Sequence, residues 1–262
     1  MTESEQNETT CPSCGYPAHA GHAPDCRANK GEKDEEFPIE QAKSEEEITR
    51  FYILRELANG NTDNEDIQRR VWKNMKYLDR DNSQIFLMKD KGEIIAGAQI
   101  DIEEEGGERK AYLGNKFVNA DHRGKNLASA LVRKRVDVAR ERGCKEVYSL
   151  VSNTNFEGLR SIMKDGFSIK STKGVPQMEN VKAMYYVYKN LEKNEPVKPE
   201  NFDKLQVAEN TEDLGKNNQV LIRINNPQLI EHALQNGYVG RQLVTNKEAK
   251  GINEPMLYLE KT

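Results

Sequence analysis

Between Phe117 and Leu131 an aromatic and β-branched stretch runs into a turn built around Gly124 and then into an amphipathic helix. A strand that turns directly into a helix gathers unpaired backbone N–H groups at one point and adds the positive end of the helix dipole there. Such a point binds phosphate. Arg123 and Lys125 add charge, and from Asp121 to Glu146 eight basic residues face four acidic ones. Together these features select a pyrophosphate-bearing ligand over bulk nucleic acid, and they require sheet and helix to be layered against each other.

The flanking sequence agrees. Phe37 to Ala42 reads as a short strand, and Ser44 with Glu47 three residues on forms a capping box before the helical spacing of Ile48, Phe51, Tyr52, Leu54 and Leu57. A second helix starts at Asn61 or Thr62 and runs through Ile67, Val71, Met75 and Leu78. Strands follow at about 84–89, 93–102 and 111–119, separated by the turn residues 90–92 and by Gly106 and Gly107. The helix from Asn126 to Arg142 buries Ala128, Leu131, Val132, Val136 and Ala139, and Gly143 ends it. A strand at 147–151, a helix at 155–164 and a strand at 182–191 complete the pattern. Interleaved strands and helices predict a mixed α/β class.

With glycine added and tyrosine left out, the apolar share of the 262 residues is about 39%, below the roughly 45–50% usual for globular chains. Part of the chain is therefore expected to lie outside any core. Residues 29–36 read as an acidic linker and 192–204, with Pro196 and Pro199, as a second one, leaving a main domain at 37–191. No apolar run approaches the roughly 18 residues of a membrane span, and the first ten residues lack the basic and apolar order of a signal peptide. The expectation is a cytoplasmic protein with no membrane partner. A net charge of −4 gives no general attraction to nucleic acid.

An internal echo emerges when Asn155 is laid on Asn226. Ile162 to Phe167 then faces Ala233 to Tyr238, Ser149 to Val151 faces Val220 to Ile222, and Met184 to Lys189 faces Met256 to Lys261. The tail, 205–262, is expected to be a partial strand, helix, strand repeat, too short for a full second domain.

The phosphate-binding segment resembles the GNAT superfamily of acyl-coenzyme A dependent N-acyltransferases, whose signature is Arg or Gln, two residues, Gly, one residue, then Gly or Ala. Arg123, Asn126 and Ala128 stand in those places, with asparagine where the family has glycine. Asparagine also tolerates left-handed backbone. A second resemblance lies in Asn155, then ten residues, then Gly166 and Phe167, similar to the family's helix that carries an Asn near coenzyme A. The resemblance covers about Phe37 to Leu191 and implies a GNAT-like mixed central sheet flanked by helices.

It further implies acetyl-CoA as cosubstrate, held by Phe117, Val118, Asn119, Arg123, Gly124, Lys125, Asn126, Leu127, Ala128 and Asn155, with pantetheine between splayed strands near 116–119 and 147–151. A primary amine would attack the thioester directly in a ternary complex, and a backbone N–H near Val118 would polarise the carbonyl. The amine must be neutral, so a base or water chain is needed. Glu108 is the expected base on position, with Glu103, Glu104 and Glu105 as other carboxylates nearby. Ile162 stands where many members carry a tyrosine acid, which leaves the proton donor unassigned. The other reading of the same departures is a catalytically inactive binding module.

Cys11, Cys14, His22 and Cys26 form a C-x2-C, seven residues, H-x3-C pattern within 8–28, which resembles a zinc knuckle. Zinc prefers four tetrahedral N or S ligands, and close pairs let one turn supply two of them. His19 is the alternative ligand. The set is complete and therefore structural, and it would dock to protein or RNA. Its few cations and single aromatic, Tyr16, give RNA a weak footprint. Cys144, alone and next to a helix end, is expected to be a packed thiol.

Overall fold

A computed structural model describes residues 37–173, 184–192, 202–245 and 254–262. Their first helix, α1 (Glu45–Ala58), begins where sequence chemistry dictates. Ser44 Oγ accepts the Glu47 N–H, and the Glu47 carboxylate accepts from the N–H groups of Ser44 and Lys43. The Lys43 bond and Lys89 hold the Glu47 carboxyl down at about 2. A second helix, α2 (Asn64–Lys76), is capped by Asp63 rather than by Asn61 or Thr62.

Strands β1 (Ile39–Gln41), β2 (Ser83–Asp90), β3 (Glu93–Glu105) and β4 (Glu108–Val118) form an antiparallel meander. Its hairpins turn on Lys91–Gly92 and Gly106–Gly107, all at positive φ, which matches the twist of the strands they join. The rings of Phe51 and Tyr52 from α1 are buried on this meander. Gly97 in β3 makes that possible, since a Cβ there would stand 2.7 Å from the Phe51 ring. Phe117 closes the same cluster at 5.7 Å from Phe51.

Helix α3 (Leu127–Glu141) packs on β3 and β4 and ends in a Schellman motif, with Cys144 N–H to the Ala139 carbonyl and Gly143 at φ 73°. Its buried stripe includes Leu127, Val138 and a cation, Arg135. Cys144 is a buried free thiol. Strand β5 (Glu146–Ser152) runs parallel to β4, and after α4 (Phe156–Lys164) come β6 (Ser168–Lys173) and β7 (Met184–Asn190). Sequence patterning misses β6, whose Ser168, Lys170, Ser171, Thr172 and Lys173 carry little apolar signal; pairing with β7 fixes it.

The tail from Phe202 packs into the same sheet. It comprises β8 (Gln206–Val207), α5 (Thr211–Leu214), β9 (Gln219–Arg223), α6 (Pro227–Gln235), β10 (Tyr238–Val244) and β11 (Met256–Lys261). The sheet order is β1-β2-β3-β4-β5-β7-β6-β10-β11-β9-β8. Outward from the antiparallel β6·β10 junction, the two sides run alike: two antiparallel pairings, then one parallel pairing. Local geometry matches as well. Asn155 and Asn226 cap their helices at φ −93° and −104°, each accepting the N–H three residues on, and Gly166 and Gly237 follow at φ 86° and 85°. Gly240 lets the halves meet, since its Cβ would stand 3.1 Å from Ile169.

Candidate acyl-donor site

Strands β4 and β5 pair only from Lys110 with Glu146 to Tyr112 with Tyr148. Beyond that point Ser149 Oγ, in place of a backbone group, donates to the Leu113 carbonyl at 2.7 Å. The strands then separate while β4 continues to Val118. Asn115, at φ 46°, bends β4 in this stretch, and the β3 to β4 register shifts between Gly97 and Gln99. The result is a fork whose backbone groups on β4 face away from any β5 ladder partner.

The open end of β4 leads through Asn119 and a short 3-10 turn, Ala120–His122, to Arg123 and Gly124. Asn119 is tied to β3 by its N–H on the Ile95 carbonyl at 2.9 Å and its side-chain amide on Ile94 at 3.2 Å. Gly124 lies at φ 82° and Asn126 at φ 55°, so asparagine adopts the left-handed conformation that the sequence allows it. Asn126 makes no side-chain cap bond to α3. The first turn of α3 also carries no acidic residue, as in α6 and unlike α1, α2, α4 and α5. Nothing lies within 4 Å of where a Gly124 Cβ would stand. A helix start with no side-chain cap and no acidic residue in its own first turn, fronted by open space and the exposed Arg123, fits a pyrophosphate.

The other residues expected at the site take several places. Phe117 and Leu127 are buried in the core, so only their main chain can face a ligand. Val118, Lys125 and Ala128 are half-buried along the same path. Asn155 caps α4 through a bond from the Gly158 N–H at 2.9 Å. Glu108 does not suit the base role. It is the first residue of β4, on the order of 20 Å along the strand from Asn115 at about 3.3 Å per residue, and Lys145 holds its carboxyl at 2.8 Å and below the usual range. The sequence puts it at a strand start; what the sequence does not show is the bend at Asn115, far along the strand. Glu104 and Glu105 are likewise exposed, with Arg109 and Lys110 as partners.

Sequence reasoning missed the polar lining on the α1 face of the fork. Tyr52 donates to Gln99 Oε1 at 2.9 Å, Asn115 donates to the same oxygen at 2.8 Å, and Arg55 reaches Asn115. Burial raises the Tyr52 phenol to about 12. Asp101 sits opposite Tyr112 in the β3–β4 register, and burial pushes its carboxyl up. The Tyr112, Tyr148 and Tyr186 rings follow in series with centroids 5.3 and 4.9 Å apart, and Tyr148 donates to Glu103 at 2.6 Å.

Cys11, Cys14, His19, His22 and Cys26 lie outside the described residues. Among the described residues no group of three or more His, Cys, Asp or Glu side chains is placed to hold a metal ion, and no helix is long and apolar enough to cross a membrane.

A model of the acetyltransferase (GNAT) family matches residues 44–167. None of the curated proteins matches the chain in sequence. Among solved structures the chain is similar to a protein of Desulfovibrio desulfuricans described as a GNAT-family acetyltransferase, at 12% identity, over 59% of this chain and 99% of that one, with a TM-score of 0.49. It is also similar to a chain of the NatC complex bound to Gag peptide and CoA, at 15% identity, 60% and 99% coverage and a TM-score of 0.47. A third is a spermidine N-acetyltransferase chimera from Vibrio cholerae and hSSAT, at 14% identity, 58% and 95% coverage and a TM-score of 0.48. Residues 44–167, just under half of the chain, are thus similar to the acetyltransferase (GNAT) family.

Proposed function

We propose that the protein transfers an acetyl group from acetyl-CoA to a primary amine by direct attack in a ternary complex. The reading rests above all on the β4–β5 fork that leads to an uncapped α3 N-terminus. Main-chain groups of β4 from Asn115 to Val118 would hold pantetheine, and the turn from Arg123 to Ala128 would hold pyrophosphate. The amine enters on the α1 face, beside Tyr112, Tyr148 and Asp101. Asp101, with its carboxyl raised by burial, replaces Glu108 as the group that accepts the amine's proton, directly or through water. The tail, 205–262, acts as a partial repeat that extends the sheet away from the fork and leaves the acceptor side to the main domain.

Coenzyme A release, followed with a thiol reagent over a panel of primary amines, tests the transfer. At least one amine should raise release well above the rate of hydrolysis; silence across the panel despite measurable acetyl-CoA binding would contradict it. Segment 8–28 is proposed to bind one structural zinc through Cys11, Cys14, His22 and Cys26. Metal analysis of the native chain should find about one zinc, lost on Cys11→Ser with Cys14→Ser. A metal-free native preparation would remove the knuckle.

A further inference from the structure

Thioester aminolysis expels a thiolate, and on α4 Ile162, a buried apolar side chain, stands where many family members carry a tyrosine acid. The missing donor lies on β4 itself. Resting on the acetyl-transfer reading above, we propose that the Lys116 ammonium, three residues beyond Leu113 inside the fork, donates the proton taken up by the coenzyme A sulfur as the carbon–sulfur bond breaks.

Position is the first argument. Asn115 bends β4 at the open part of the fork, and Lys116 is the next residue. Phe117, the residue after it, packs on Phe51 of α1, so strand alternation puts Lys116 on the face opposite α1, where Arg135 of α3 and Asp165 at the end of α4 act on its amine. The amine of the acceptor and the thiolate of the donor are thereby served from opposite sides of the sheet. Lys116 remains partly exposed although strongly desolvated, as a group lining a groove does.

The surrounding charges are the second argument. Arg135 is 1% exposed and is anchored by Nη1 on the Gln99 and Gly114 carbonyls, at 2.9 and 3.2 Å, so it cannot swing away. Asp165 is shared: Ser129 bonds its carboxylate, Arg133 stands 3.6 Å from it, and Lys189 takes its carbonyl at 2.7 Å. Burial first, and then Arg135, bring the Lys116 amine down to about 8, with Asp165 opposing them. An ordinary thiol titrates near 8.5, so proton transfer between the two is close to balanced.

In the step itself the amine nitrogen bonds to the carbonyl carbon and the carbon–sulfur bond breaks with its electron pair on sulfur. The proton on Nζ passes to sulfur, giving the free thiol. The new amide sheds its extra proton through the acceptor side, and Lys116 regains one from water as products leave. Lysine is charged below its pKa, so the rate is expected to fall as pH rises through about 8.

Two measurements on the full chain test this with Lys116→Met and Lys116→Arg, each checked for native circular dichroism. The first titrates the ultraviolet thiolate absorbance of bound coenzyme A. The thiol pKa should rise in Lys116→Met relative to the native protein and stay low in Lys116→Arg, which keeps the charge. The second is the pH profile of transfer. In Lys116→Met, kcat should fall by about 100-fold or more with little change in coenzyme A affinity. In Lys116→Arg the descending limb near 8 should vanish, because arginine does not titrate there. A bound thiol pKa indifferent to Lys116→Met overturns the proposal even if no acceptor amine is ever found. Retained kcat and limb in Lys116→Met overturn it where transfer is active.

Discussion

A double variant, Arg123→Glu with Gly124→Glu, binds coenzyme A at least about 100-fold more weakly than the native chain in calorimetry. Two effects add. Gly124 sits at φ 82°, where a side chain costs roughly 1–2 kcal/mol, so the turn that aims N–H groups outward is strained. Arg123 is exposed at the mouth of an uncapped helix start, and each hydrogen bond from a charged group to phosphate is worth roughly 1.5–3 kcal/mol. Replacing that donor and the adjoining glycine by carboxylates exchanges attraction for repulsion of the pyrophosphate. That strain should lower the midpoint of thermal unfolding by only a few degrees, since the turn is on the surface. Unchanged affinity would remove the site.

Arg135→Ala is expected to lower stability in urea unfolding by about 3–5 kcal/mol. Its guanidinium is fully buried without a carboxylate in hydrogen-bond contact, and it spends its donors on the carbonyls of Leu131, Gln99 and Gly114. Burial alone brings it down to about 9, the mark of a cation held against its own hydration. Truncation leaves a long cavity under the sheet and strips two strand carbonyls beside the bend of β4 of their donor. The loss should therefore be accompanied by weaker coenzyme A binding, because the fork inherits its shape from that bend. A stability change below about 1 kcal/mol would show that the carbonyls find water instead.

Most of the main domain was legible because its signals are local. The Ser44 and Glu47 capping box, the Gly106–Gly107 hairpin and the stripe Leu131, Val132 and Val136 each carry their meaning within a few residues. The turn from β4 into α3 was legible for the same reason, including the tolerance of Asn126 for positive φ. What escaped depends on distant partners. Strand β6 reads as polar and is a strand because β7 and β10 flank it. Arg135 reads as one more solvated cation of a basic helix, and only the bend in β4 gives it carbonyls to serve. Glu108 looked suitable because sequence places it at a strand start but does not say how far that start lies from the bend. The tyrosine ladder crosses three strands, so no window of the chain contains it.

The β6·β10 junction also decides how the molecule meets its neighbours. It sets β10 beside β6, with Gly240 opposite Ile169, where an open strand edge would invite another copy to zip on. With it, the described sheet terminates in three residues of β1 on one side and two of β8 on the other. Margins that brief offer almost no template for cross-chain strand addition, so the fused tail works as a selvedge that keeps a broad fabric from unravelling into aggregates.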